Sequence, residues 1–376
     1  MVLYLDTAAT TPVRPEVADL VLFHLREEFG NSGSRTHDWG SRAKKAVQTA
    51  REQVASVAHC KPDEVIFTSG ATEADNLAIL GLAPHGYEAG RKHIISCATE
   101  HKAVLEPLEH LAAQGFEVDL VKPRANGIVE VDDVMARVRP DTLLVSMMLV
   151  NNETGVIQDV DSLGQQLRDT STLLHVDAVQ GFAKPTGQSL QYADLVSISA
   201  HKSAGPKGAG ALITRRRGWK GLPLSPLMYG GGQERKLRPG TVSVPLVAGL
   251  GLASELMNAD GDTWARSALT FRERLLEALS VVPFQINGDR DRSVPHILNV
   301  AFDGIDSEAL IVALQGVAAI ATGSACTSSS YTPSHVLTAM GLSNERVESS
   351  VRFSWWSDTD PTGLAEISSV LRGLGA

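Results

Sequence analysis

From about residue 40 to 255, short apolar runs alternate with stretches of helical periodicity, and this alternation limits the fold more than any other feature of the chain. Val65-Ile66-Phe67-Thr68 reads as a short buried strand, and so do His93 to Cys97, Leu143 to Val150, Leu173 to Val176, Leu195 to Ile198 and Ala209 to Thr214. Helices lie between most of them. Ser41 to Cys60 is one, with Ala46, Val47, Ala50, Val54 and Val57 on one face and Ser41 as its N-cap. Strands alternating with helices predict an α/β fold around an open, mainly parallel sheet. Ligands of such sheets bind beyond the carboxyl ends of the strands. The polar segments obey that rule: Ser69 to Asn76 follows one strand, Thr99-Glu100-His101 a second, Asn151-Asn152-Glu153 a third and Asp177 a fourth.

The pattern breaks at residues 219 to 245, which are rich in Gly and Pro and predict an irregular loop region. A helix over Pro245 to Asn258 and a second, amphipathic one over Thr263 to Ser280 are expected next. Beyond them the character turns to mixed α+β, with a strand near Ile297 to Phe302 and a helix near Ser307 to Leu314. The length, 376 residues, suits one large domain with a smaller one beside it.

Charge and cysteine content narrow the function. The net charge of −9 does not draw the whole molecule to nucleic acid or anionic membrane. A local basic stretch, including Arg215, Arg216 and Arg217, is expected to be solvated surface with a few anion ligands; nucleic-acid binding is the sharper alternative, and contact with a partner protein is left open. The three cysteines, Cys60, Cys97 and Cys326, form no CxxC pair, so neither a zinc site nor a disulfide framework is expected, and a reducing cytoplasm fits. The first residues do not read as a signal peptide, and the longest apolar runs are of strand length.

Two residues carry most of the chemistry. Lys202 lies in Ser199-Ala200-His201-Lys202-Ser203-Ala204-Gly205-Pro206, and a lysine amine can hold an aldehyde cofactor as a Schiff base. Cys326 lies in Gly323-Ser324-Ala325-Cys326-Thr327-Ser328, where polar neighbours favour a reactive thiol over a buried hydrophobe. The turn around Ala71 and Thr72 could close backbone N–H groups on a phosphate, or simply start a helix. Asp177, ending a buried strand, needs a partner such as a pyridinium nitrogen, or else caps the next helix. His101 could stack on a cofactor ring and shuttle protons, or only begin a helix. Arg352 is a candidate bidentate clamp for a substrate carboxylate, or a salt-bridge partner.

Taken together, the segments Ser69-Gly70-Ala71-Thr72-Glu73, Thr99-Glu100-His101-Lys102, Val150-Asn151-Asn152-Glu153-Thr154-Gly155, His201-Lys202 with Gly205-Pro206-Lys207-Gly208, and Gly323-Ser324-Ala325-Cys326-Thr327 resemble the cysteine desulfurases. These are pyridoxal-phosphate enzymes of fold type I, related to the class V aminotransferases, and the cysteine segment is similar to that of the IscS/NifS branch. The resemblance runs from Tyr4-Leu5-Asp6 to Val351-Arg352-Phe353-Ser354. It implies a large cofactor-binding domain over residues 15–258 and a small domain from 1–14 and 259–376. It further implies pyridoxal 5′-phosphate as cofactor, L-cysteine as substrate, a homodimer and a protein sulfur acceptor. Lys202 would hold the cofactor and move the Cα proton, Asp177 would pair with the ring nitrogen, and His101 would stack on the ring. Asn152 and Gln180 would contact the ring and its 3′-oxygen, with Asn152 also near the substrate. Ala71, Thr72, Ser199 and His201 would hold the phosphate, and Thr241 would reach the phosphate of the neighbouring subunit. Arg352 would bind the substrate carboxylate, and Cys326 would take the sulfur as a persulfide, leaving L-alanine. No metal is implied.

Three departures from the family pattern stand out. Asn31-Ser32-Gly33-Ser34 lacks a proline often found after the Asn. Trp355-Trp356 follows the clamp where smaller residues are common, and is expected to narrow access or to pack against the cysteine segment. The sequence also ends soon after, at Ala376, where housekeeping relatives often carry a tail that docks the iron–sulfur scaffold. These departures point to a specialised donor such as DndA, the desulfurase of DNA phosphorothioation systems. The rival readings are a selenocysteine lyase or a class V aminotransferase, then a non-catalytic sulfur-relay scaffold. Lys202 and Asp177 speak against the last.

Overall fold

The computed structural model describes residues 2–218, 221–322 and 333–375. Its strands are β1 (Leu3–Tyr4), β2 (Val65–Thr68), β3 (His93–Cys97), β4 (Glu117–Val121), β5 (Thr142–Met148), β6 (Leu173–Asp177), β7 (Leu195–Ser199), β8 (Gly210–Thr214), β9 (Phe284–Asn287), β10 (Ile297–Phe302), β11 (Ala318–Ala319) and β12 (Ser350–Ser354). Seven of them form the central sheet, in the order β2-β8-β7-β6-β5-β3-β4. β4, β3, β5, β6 and β7 run parallel, while β8 is antiparallel to both β7 and β2. The fold is thus α/β with a mainly parallel sheet, and all six predicted strands are present.

The near-continuous apolar strands follow from burial on both faces. Side chains alternate across a strand, and they sort accordingly. Ile95, Val145, Val196 and Ile213 join one core, with Val47, Ala50 and Val54 of the helix Asp38–Val57. Their neighbours Ile94, Leu144, Leu195 and Leu212 join the core on the other face, with Leu77 and Leu108. β4 escaped the sequence reading because it is an edge strand: in Glu117-Val118-Asp119-Leu120-Val121 only Val121 is buried.

Two helix expectations are corrected. The helix Asp38–Val57 begins before Ser41; its cap is His37, whose Nδ1 accepts the Gly40 N–H at 3.2 Å. The two helices expected over 245–258 and 263–280 are one, Val244–Leu279. Asp260-Gly261-Asp262 does not break it. Gly261 is buried, and packing along 36 residues outweighs one glycine's cost of about 1 kcal/mol. The expected domain boundary at 258/259 falls inside this helix.

A second packing centre gathers Leu3, Leu5, Phe271, Leu275, Val300, Phe302, Val351, Phe353 and Trp355. It lies with the antiparallel sheet β12-β10-β9 and the parallel pair β1-β11. The first residues of the chain therefore pack with its last third. Trp355 is fully buried, its Nε1 donates to the Ala268 carbonyl at 2.9 Å, and its ring lies 5.3 Å from Phe271. Trp356 meets Trp264 edge-on at 5.4 Å. The indole pair thus packs onto the long helix and does not narrow the cavity described below. The basic stretch stays at the surface, with its charges bonded to neighbouring parts of the fold. Arg215 donates to the Ala58 and His59 carbonyls, Arg216 pairs with Asp63, and Arg217 grips both oxygens of Asp194.

Candidate active site

The carboxyl ends of the parallel strands open into a cavity of about 590 Å³. Its wall contains Ala71, Thr72, His101, Asn152, Asp177, Gln180, Ser199, His201, Lys202 and Arg352, ten of the twelve residues singled out from the sequence. Asp177 closes β6 and Ser199 closes β7, while Lys202 ends the short 3₁₀ turn that follows. The helix Ala71–Leu80 points its first turn at the cavity, so its unpaired N–H groups and its dipole favour an anion there. His101 caps the helix Lys102–Ala113, its Nδ1 accepting the Ala103 N–H at 3.1 Å. Capping and cavity lining, posed as alternatives for His101, are both true of it.

Of the other two, Cys326 lies outside the described residues. Thr241 is exposed and does not line this cavity; its expected site is that of the neighbouring subunit.

The N-terminal segment, which the sequence reading left without a role, forms one side of the site. Lys202 Nζ donates to the carbonyls of Ala8 and Ala9 at 2.5 and 2.7 Å, and Gln180 Nε2 donates to Ala8 O at 2.8 Å. Arg352, 2% exposed, donates through Nη1 to the Asn152 carbonyl at 2.9 Å and through Nη2 to Asp6 Oδ1 at 2.7 Å. Lys184 was also missed. Its buried Nζ donates to the carbonyls of Gln180 and Lys202 at 3.0 and 2.9 Å, joining the two turns. Burial and the nearby Lys202 push this amine down to about 7.

One end of the site concentrates buried acid. Asp177 Oδ1 accepts the Val179 N–H at 2.9 Å, and burial together with Asp75 pushes its carboxyl up to about 7. Asp75, 1% exposed and on the cavity wall, is pushed up to about 7 by burial. Glu100 is fully buried and raised well above the usual range by burial and by Asp177. His175 does not offset them as a cation, because burial pushes it down to about 4. It bridges Ser146 and Ser197 at 2.8 and 3.0 Å, with Asp75 Oδ1 3.4 Å away. Asp75 had a signal in the sequence: it stands beside Ala74, Leu77 and Ala78, at spacings that belong to the buried face of its helix. The cavity wall also carries Lys202, Lys207, Thr72 and His201; burial and Lys202 hold His201 down at about 4, as a neutral imidazole.

The model of the family described as "Aminotransferase class-V" matches residues 3–364. The chain belongs to the cysteine desulfurases of that family. It is 46% identical over 357 residues to the cysteine desulfurase IscS of Vibrio atlanticus, covering 94% of this chain and 87% of that one. Among solved structures, it superposes on DndA from Streptomyces lividans with a TM-score of 0.83 at 55% identity, over 94% of this chain and 99% of the other. It also superposes on SspA, solved in complex with cysteine, with a TM-score of 0.84 at 34% identity, over 94% and 98%. The cofactor of this family is pyridoxal 5′-phosphate, and the cavity fits it. Three buried carboxyls short of positive charge suit a ring with a protonated nitrogen, Lys202 suits the aldehyde, and the helix start with Thr72 and His201 suits the phosphate. The desulfurase resemblance and the α/β fold expected from the sequence are therefore borne out.

Proposed function

We propose that this chain removes sulfur from L-cysteine with pyridoxal phosphate held through Lys202, and passes it as a persulfide on Cys326 to a protein acceptor. The observation that carries this reading is the convergence of Lys202, Asp177, His101 and Arg352 on one cavity. When bound, the cofactor supplies an electron sink for charge left at the substrate Cα. The rest falls to the chain's own residues. Arg352 receives the substrate carboxylate. Asp177 keeps a proton at the ring nitrogen, and burial makes the neutralising partner worth more than it would be in water. Lys202 Nζ, released from Ala8 and Ala9, takes the Cα proton and later returns one. Asn152 and Gln180 hold the ring edge, and Ala71, Thr72, Ser199 and His201 hold the phosphate.

The thiols divide by environment. Burial pushes Cys60 up to about 11 and Cys97 up to about 12, so neither supplies thiolate near neutral pH. Cys326, in its polar segment, is left to take the substrate sulfur, with L-alanine as co-product. A persulfide carrier of this kind suits a reducing compartment, which supports a cytoplasmic reading.

A homodimer completes the site through Thr241. The exposed side chains of Phe29, stacked on Trp39 at 6.4 Å, and of Tyr229 supply apolar surface for a second copy. The acceptor is of the kind served by DndA in DNA phosphorothioation. The 55% identity to that protein, against 46% to the Vibrio atlanticus IscS, supports this reading. Iron–sulfur assembly is the second reading, favoured by the IscS relatives.

The test follows sulfide and alanine release from L-cysteine with the visible spectrum recorded. Wild type is expected to turn over, and Cys326→Ser to keep the cofactor band and lose sulfide. Equal turnover by both would remove Cys326 as carrier and move the aminotransferase reading forward.

A further inference from the structure

Arg352 is held at both of its terminal nitrogens. Asp6 is bridged to Ser354 in parallel fashion, with Ser354 N–H donating to Leu5 O at 2.8 Å and Thr7 N–H donating to Ser354 O at 3.2 Å. This register sets the Asp6 side chain beside the guanidinium, where Oδ1 accepts from Nη2 at 2.7 Å. The Asn152 carbonyl takes a hydrogen from Nη1. Nε is buried and has no hydrogen-bond acceptor among the described residues. A guanidinium has five N–H donors on a rigid plane, and a buried one without an acceptor is costly. The side chain is 3% exposed and lines the cavity, so a carboxylate arriving there would take donors that Asp6 and Asn152 leave. Asp6 itself is 23% exposed on its side chain and is not part of the cavity wall, so it acts on the clamp without touching the substrate.

We infer that Asp6 is a positioning residue: by holding Nη2 it fixes the guanidinium plane of Arg352 at the cavity wall, and so sets the enzyme's preference for amines that carry an α-carboxylate. This rests on the reading of Arg352 as the substrate clamp.

The experiment titrates the loaded enzyme with L-alanine and with ethylamine, which lacks the carboxylate, and reads the visible cofactor band rather than turnover. Asp6→Ser, too short to reach Nη2, is expected to bind L-alanine about tenfold more weakly and ethylamine unchanged. Asp6→Asn keeps an acceptor oxygen and is expected to stay within about threefold of wild type for both ligands. Should the serine protein not accumulate, Asp6→Glu displaces the acceptor by one methylene and is read in the same way. Arg352→Ala is run alongside. If it weakens L-alanine while Asp6→Ser does not, the positioning role falls and the clamp stands. If Arg352→Ala leaves L-alanine unchanged, the clamp reading itself fails and this inference goes with it. Parallel loss of L-alanine and ethylamine in Asp6→Ser would mean general damage to the site, which also overturns the role.

Discussion

Asp177 shows how much a single position can carry. It closes β6, is buried, and accepts one backbone N–H from Val179. Among the described residues no cation is hydrogen-bonded to it, and burial and Asp75 outweigh the opposing pull of His175 and Lys202. A protonated ring nitrogen would relieve this, so that carboxylate and ring held each other's charge. Asp177→Asn keeps an acceptor for Val179 and loses only the charge. We expect alanine formation to slow by about 10²-fold or more, the scale of losing one preorganised electrostatic partner, with the melting temperature of the cofactor-free protein not lowered. Single-turnover kinetics beside calorimetry checks both halves. Asp177, His101 and Lys202 were legible in the sequence because each stands at a junction between a strand or helix and a polar turn. Arg352, in the middle of β12, was legible as an arginine within an apolar strand. Asp75 had a local signal that was passed over, and Asp6 and Lys184 had none. Their roles come from residues elsewhere in the chain, such as Asp6 against Arg352, and no local pattern announces such a pairing.

At the scale of elements, periodicity located the strands well and misplaced what packing decides. His37 was passed over as a cap because its imidazole serves a role more often filled by Ser, Thr, Asp or Asn. The break expected near Gly261 is absent because the helix Val244–Leu279 is supported along its length, by the helix Asp38–Val57 early on and by Phe271, Leu275 and Trp355 later. Where the helices Asp38–Val57 and Val244–Leu279 cross, Gly251 is a close contact. A Cβ added there would lie 2.6 Å from Ala50 Cα and 2.5 Å from Gln53 Oε1. Glycine to alanine inside a helix ordinarily gains about 1 kcal/mol. Here the clash is with neighbouring backbone, and overpacking costs about 1–3 kcal/mol. Gly251→Ala is therefore expected to lower the melting temperature while activity per folded molecule persists. A melt at or above wild type would show that the helices can part without cost.

The whole molecule carries a pH dependence that no single element shows. Asp75, Asp177 and Glu100 lie buried within electrostatic reach of one another, and His175, beside Asp75, stays neutral. In the cofactor-free protein, Asp75 has a folded value of about 7 against an ordinary 3.8. A carboxyl raised on folding makes the native state the stronger proton binder between those two values. Stability from this group is thus complete below about pH 4 and is lost progressively up to about 7. The interval corresponds to about 4 kcal/mol at most, and water entering the empty cavity would reduce it. Asp75→Asn removes the titration and relieves Asp177 at the same time. Lys184, His175 and His201 run the opposite way, since each is depressed on folding and favours the native state as pH rises. They are present in both proteins, so comparing the two largely cancels them. The expected result is a melting temperature for Asp75→Asn that gains on wild type steadily from pH 4 to 7 and runs parallel above. A constant offset across that range would mean that Asp75 keeps an ordinary carboxyl in the folded protein, and that the burden of the acidic end rests on Asp177 and Glu100.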